Sequence, residues 1–249
     1  MNGFLIRAKC FVFRIRISTR HSVRMEVFEK LQLWMDPVKR SGPEAMAVDE
    51  WLLETSRVPV LRVYEWSGEW VSVGYFGKIS EARETFPGVE IVRRWTGGGM
   101  VDHRADWTYT LVAPQGEPLA GCRGAESYRR IHAALAGILT AEGIPARLSP
   151  GGDETGATLC FENPVNHDLL GADGRKLAGA GQRRSRTGLL HQGSVSIRTI
   201  GGNVSRCRAE NLANRLSARC EEFPHSPDPD DLAPRSVARY NRREWLERR

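Results

Sequence analysis

No run of this chain approaches the roughly 18 consecutive apolar residues needed to cross a bilayer, so no membrane span is expected. No Cys-x-x-Cys pair occurs either, and the five cysteines (Cys10, Cys122, Cys160, Cys207 and Cys220) are odd in number and scattered. That pattern argues against a disulfide framework or a zinc site and for free thiols in a reducing compartment, the cytoplasm. Internal repeats are absent, and so are low-complexity tracts away from the two ends. Acids are missing from residues 1–24, which carry Arg7, Lys9, Arg14, Arg16, Arg20 and Arg24. Those cations account for the whole net charge of +6 and leave the rest of the 249 residues neutral. A neutral body is no electrostatic footprint for DNA or RNA, so a nucleic-acid partner is not expected.

What is present is ordinary for one globular core: 41% apolar and 27% charged residues. Residues 1–24 have three competing readings: a targeting segment, an extra basic strand, or an upstream extension. Arginines interrupt Phe11–Ile17 and deny it the apolar core of a targeting segment, so a disordered or artefactual extension is the expectation. The body then runs over 25–222, and 223–249 forms a linker and C-terminal helix.

Ser41 is placed to cap a helix that has Pro43 in its first turn, with Met46, Leu52 and Leu53 inward and Asp49, Glu50 and Glu54 towards water. Val60–Trp66 and Trp70–Phe76 read as a hairpin turning at Ser67-Gly68-Glu69. Tyr128, Ile131, Ala134, Leu135, Ile138 and Leu139 recur at helical spacing and stop at Gly143, which leaves His132 as a surface residue. Between Cys160 and Ile197 strands alternate with turns at Ala172-Asp173-Gly174 and Thr187-Gly188. Phe223–Pro234, rich in proline and aspartate, reads as the linker, and Val237, Tyr240, Trp245 and Leu246 as a short closing helix.

Two stretches carry candidate chemistry. Arg93-Arg94-Trp95-Thr96-Gly97-Gly98-Gly99-Met100-Val101-Asp102-His103 lies between two apolar runs and reads as the turn joining two strands. Three glycines make sense where backbone amides must approach a ligand, and the arginines and histidine add donors for an anionic or polarised group. A hairpin with a plain glycine tip is the alternative. Further on, Lys176 follows Cys160 by sixteen residues and one hairpin turn, close enough for ammonium and thiol to meet. Such a neighbour favours the thiolate and activates sulfur for acyl transfer. Otherwise Cys160 is one more small buried side chain.

The glycine stretch resembles the signature of the lipoate–protein ligase and octanoyltransferase family, in which Arg-Arg precedes a Gly-Gly pair, then Val and His-Asp. Arg104 stands where that family commonly has the aspartate. Cys160-Phe161, Asp168-Leu169-Leu170, Gly174–Arg184 and His191-Gln192-Gly193-Ser194 resemble a second block, with Gly181 in place of a more usual alanine. The resemblance implies an α/β (α+β) fold with a mixed, mainly antiparallel sheet and packing helices. It also implies transfer of an octanoyl group from octanoyl-acyl carrier protein to a lysine of a lipoyl carrier domain. Acceptors would be the glycine cleavage H protein or 2-oxoacid dehydrogenase E2 subunits. Cys160 would carry the acyl thioester and Lys176 would activate it, with no cofactor. Arg93, Arg94, Gly97, Gly98, Gly99, His103, Gly179, Gln182, His191 and Gly193 would bind substrate. The glycine-loop amides and Gly179–Gln182 would form an oxyanion hole, and Met100 or Trp95 would line the acyl slot. Two alternatives stand beside it: an ATP- and Mg-dependent lipoate–protein ligase, and a non-catalytic member that binds acyl groups or lipoyl domains. The Gly-Arg-Gly-Arg loop of biotin ligases is absent.

Overall fold

The computed structural model describes residues 26–151, 155–157, 159–196 and 201–248, with the side chains of 201–204 outside that description. The basic extension expected at 1–24 also lies outside it. The chain runs in order through β1 (Leu31–Met35), α1 (Gly42–Thr55), β2 (Val60–Tyr64), β3 (Trp70–Val73), α2 (Ile79–Thr85), β4 (Glu90–Arg93) and β5 (Val101–Asp102). It continues through β6 (Trp107–Pro114), α3 (Pro118–Gly121), α4 (Gly124–Ala141), β7 (Arg147–Leu148) and a 3-10 turn at Cys160–Glu162. The rest comprises β8 (Leu169–Leu170), β9 (Lys176–Ser185), β10 (Gly188–Val195), α5 (Gly201–Leu216), β11 (Cys220–Glu222) and α6 (Pro229–Arg235). A π-turn (Ser236–Tyr240) and α7 (Arg243–Leu246) close the tail.

Eight strands form one sheet in the order β11-β1-β2-β6-β10-β9-β8-β7, parallel only where β1 meets β11 and β2. Side-chain alternation splits this sheet into two faces. Leu61, Val63, Tyr109, Leu111 and Leu189 pack with Ile131, Leu135 and Leu139 of α4 and Leu212 of α5. Val60, Tyr64, Val112 and Leu190 pack with Met46, Val48 and Leu52 of α1, and Leu232 and Tyr240 of the tail join them. A smaller sheet, β4-β3-β5, closes over Ile79 and Ala82 of α2. The fold is therefore the mixed, mainly antiparallel α/β architecture that the resemblance implies.

α1 begins as expected: the Ser41 amide and hydroxyl both donate to the Glu44 carboxylate (2.9 and 2.7 Å). Several local expectations are corrected. Val60–Trp66 and Trp70–Phe76 are not a hairpin, because β2 pairs with β1 and β6 while β3 pairs with β4 and β5. The turn at Gly68 (φ 91°) carries the chain from one sheet to the other. Asp49 and Glu50 do not face water: both are buried, leaving only Glu54 of the three exposed. His132 is buried as well. α5 had no counterpart in the sequence reading, where arginines break up its apolar face; Arg208 among them is buried and pairs with Glu142 at 2.7 Å. In the tail, α6 starts inside the expected linker, and Val237 is exposed. Cys122, Cys160 and Cys220 are free thiols, as expected.

Candidate active site

The glycine loop is not a hairpin tip. β4 and β5 flank β3 on opposite sides, so residues 94–100 must cross the end of that strand. Gly74, which ends β3, makes the crossing fit: a Cβ there would lie 2.0 Å from the Gly98 carbonyl oxygen. Arg94 staples the crossing from beneath. Its Nη1 donates to the Ser72 carbonyl and hydroxyl (2.9 and 2.7 Å) and its Nη2 to the carbonyls of Gly97 and Gly99 (3.1 and 2.9 Å). Burial lowers this guanidinium from its ordinary value, opposed first by the nearby Cys160 sulfur. Arg93 points the other way. It bonds the carbonyls of Gly74, Tyr75 and Gly77 and, across the chain, those of Leu246 and Arg248. Both arginines thus hold backbone in place, and the guanidinium of Arg93 clamps the tail to the base of the loop.

Cys160 and Lys176 meet. The Lys176 ammonium lies 3.2 Å from Cys160 Sγ, 2.6 Å from the Asp168 carboxylate and 3.3 Å from the Asn163 carbonyl. The pair of β8 and β9 brings Asp168 and Lys176 together, with a register shift at Leu169/Leu170. Cys160 is tied to the glycine loop, since its amide donates to the Met100 carbonyl at 2.8 Å. Gly179 leaves the room this needs: a Cβ there would fall 2.6 Å from Lys176 Cε and 2.8 Å from Nζ. The neighbour is the end of a flexible side chain, so Gly179→Ala is expected to fold and to push the ammonium off the sulfur. Loss of acyl transfer by up to about 100-fold, with an unchanged melting temperature, is the expected result. Kinetics beside a thermal melt would check it, and full activity would show that the contact is dispensable.

A narrow recess opens beside this pair, lined among others by Met46, Tyr64, Trp66, Arg94, Val101 and His103. Cys160, Gly179, Gly181, Gln192 and Gly193 complete its inner wall. The apolar side chains of that lining are Met46, Tyr64, Trp66 and Val101. Met100 instead packs with the small sheet, and Trp95 lies between Arg183 and Arg239 at 4.8 and 4.3 Å. His103 stacks on Trp66 (4.2 Å between centroids) and bonds Ser72 Oγ at 2.6 Å and Asp106 at 2.8 Å. Asp106 is anchored by the hydroxyls of Ser194 and Thr108. Arg104 itself pairs with Asp102 on the surface, and the carboxylate beside His103 is that of Asp106.

Gln182 and His191 turn away from the recess. They bond each other at 2.9 Å on the α4 face, with Ser127 and Tyr109 as further partners. Strand alternation gives the reason: Gln192 and Ser194, one and three residues beyond His191, face the recess. Gln192 also links two levels. It accepts from the Thr96 hydroxyl in the glycine loop (2.6 Å) and donates to buried Asp49 (2.7 Å). Gly181 serves the crossing too. A Cβ there would meet the Gly97 carbonyl at 2.5 Å, so its bareness lets the loop lie close. Asp49, Asp106, Asp168 and Gln192 are the supporting residues that sequence reasoning missed; Asp168 and Gln192 stood inside the recognised block without a role.

Residues 41–225 match the model of the lipoyl protein ligase A/B catalytic domain. The chain belongs to that family. Among its relatives, the octanoyltransferase LipM of Carboxydothermus hydrogenoformans is 35% identical over 179 residues, covering 68% of this chain and 66% of the relative. The octanoyltransferase LipM of Moorella thermoacetica is 33% identical over 192 residues, covering 70% and 69%. The matched part of the chain thus spans about two thirds of the length of these relatives. Among solved structures, a putative lipoate protein ligase from T. acidophilum with bound lipoic acid superposes with a TM-score of 0.69 at 16% identity. It covers 88% of this chain and 98% of that one. Lipoate-protein ligase A bound with ATP gives 0.65 at 19% identity, covering 88% and 98%. Those two likenesses establish this family member's fold.

Proposed function

We propose that this family member is an octanoyltransferase that moves an octanoyl group from acyl carrier protein to a lysine of a lipoyl carrier domain, through a thioester on Cys160. The observation that carries the reading is the 3.2 Å approach of Lys176 Nζ to Cys160 Sγ at the wall of an apolar recess. The names of the LipM relatives support the reaction class. An ammonium beside sulfur stabilises the anionic nucleophile. The Cys160 thiolate attacks the carbonyl of the octanoyl thioester, and the carrier thiol leaves, taking a proton from Lys176. The acceptor amine then attacks the Cys160 thioester, expels the thiolate and returns a proton to Lys176. Asp168 keeps the ammonium aimed throughout, and the walls of Met46, Tyr64, Trp66 and Val101 receive the acyl chain. No external cofactor enters these steps.

The test is intact mass after mixing with octanoyl-acyl carrier protein in the absence of ATP. Gain of one octanoyl group on Cys160, discharged by a lipoyl domain, is expected. A product that forms only with free lipoate and ATP would favour the ligase instead, and a protein forming neither species would be a binding member. In parallel, Lys176→Ala should slow alkylation of Cys160 by iodoacetamide near neutral pH, with the rate recovering at high pH where thiolate forms unaided.

A further inference from the structure

His132 is the buried titratable group that this mechanism leaves without a task. It sits on α4 with its ring fully enclosed, near Tyr128 and His191. Its Nδ1 lies 2.6 Å from the carbonyl oxygen of His167, so that nitrogen carries the proton and donates. Its Nε2 has no hydrogen-bond partner among the described residues. Burial holds the imidazole below its ordinary value and keeps it neutral. For packing alone such a ring is a poor choice, because an apolar side chain would fill the space without leaving a polar atom unsatisfied. The reason for a histidine must lie in the one bond it makes.

That bond grips an unusual residue. His167 has φ 70°, and it is the only non-glycine with positive φ among the described residues. The left-handed region favours glycine, and other residues persist there only when their surroundings over-determine the geometry. Here the turn runs from Val165 to Asp168, closed by the Asp168 amide on the Val165 carbonyl at 3.0 Å. The His167 amide donates to Ser149 at 3.0 Å, and His132 takes the carbonyl. The very next residue is Asp168. Its carboxylate receives the Val165 amide at 2.8 Å and the Lys176 ammonium at 2.6 Å.

We infer that His132 is a positioning residue: by pinning the left-handed backbone of His167 it sets the Asp168 carboxylate that holds Lys176 against Cys160. The inference rests on the reading of Cys160 and Lys176 as nucleophile and activator. It extends the site through the sheet to α4, a helix that contributes nothing to the recess.

The experiment follows the pH profile of Cys160 alkylation by iodoacetamide, the kcat and KM of octanoyl transfer, and the melting temperature. His132→Leu is expected to slow alkylation near pH 7 roughly tenfold, to lower kcat similarly and to leave KM unchanged, since the activating group and not the recess has moved. His132→Asn, whose amide reaches the position of Nδ1, should restore both. So should His167→Gly added to His132→Leu, because glycine adopts positive φ unaided. A purely structural role for His132 would not be mended by a glycine on another element. Should the leucine variant fail to fold, His132→Gln keeps the volume and polarity while losing the Nδ1 contact. A folded His132→Leu or His132→Gln variant with the wild-type alkylation profile, or a double variant as slow as the single one, overturns the inference. The two failures are told apart by Lys176→Ala: if it alkylates like the wild type, the reading of the dyad falls and takes the positioning role with it.

Discussion

Cys160→Ser is expected to lower octanoyl transfer on the order of 1,000-fold or more, the scale on which loss of a covalent nucleophile acts. A serine hydroxyl is scarcely ionised near neutral pH, and a lysine ammonium 3.2 Å away does not change that. The exchange of sulfur for oxygen adds no volume, and the backbone bond from Cys160 to Met100 is untouched, so the fold should persist. The measurement is the rate at which a lipoyl domain gains 1 octanoyl group per chain, read beside a thermal melt. No acyl-enzyme should accumulate on the variant. Undiminished transfer would eliminate the thioester route and return Cys160 to the role of a small half-buried side chain.

Arg62→Met should cost about 3–5 kcal/mol of stability, the range measured when a buried ion pair loses one partner. Arg62 is fully buried, and its guanidinium bonds Asp36 (2.8 Å), Asp49 (2.7 Å) and the Ala45 carbonyl (3.0 Å). Removing it strands two enclosed carboxylates, of which only Asp36 keeps another cation, Arg40 at 2.9 Å. For a domain of this size the melting temperature should drop by about 10 °C. The deficit depends on pH in a definite direction. Burial already raises the Asp49 carboxyl, with Arg62 as the main opposing influence. Without Arg62 it rises further, so the folded variant keeps a proton that the unfolded chain releases. Stability is then present below the ordinary carboxylate value of 3.8 and lost as pH climbs through the raised one. The gap between variant and wild type should therefore widen as pH climbs above the ordinary carboxylate range, read by chemical denaturation. A constant gap would mean that Asp49 stays ionised without its partner. Because Asp49 holds Gln192, and Gln192 holds Thr96, transfer should weaken as well.

Features legible in the sequence are those whose partners lie close along the chain. The periodicity of Ile131, Leu135 and Ile138 suffices for α4, and Ser41 with Glu44 marks the start of α1 within one turn. β9 and β10 are joined by the two-residue turn Arg186-Thr187, so their pairing is local, and the approach of Lys176 to Cys160 spans only sixteen residues. The glycine run and the two arginines could be recognised as a site, though not what each arginine does.

Tertiary structure alone decided which face each polar side chain meets. Asp49 and Glu50 look solvent-facing on a helix considered by itself. Their cations, Arg62 and Arg239, arrive from a strand and from the far tail, and burial is tolerated only because those charges are there. His132 likewise reads as a surface histidine until the turn at His167 supplies its acceptor. The pairing of β2 with β6 and of β3 with β5 depends on which strands reach the same sheet, and no hairpin signal records that. Sequence by itself determined the family, helices α1 and α4, the β9–β10 hairpin and the candidacy of the cysteine–lysine pair, since short-range spacing carries them. The turn of Gln192 towards the recess, the turn of His191 towards α4 and the use of Arg93 and Arg94 as backbone clamps came from long-range packing, where one register step exchanges the two faces of a strand.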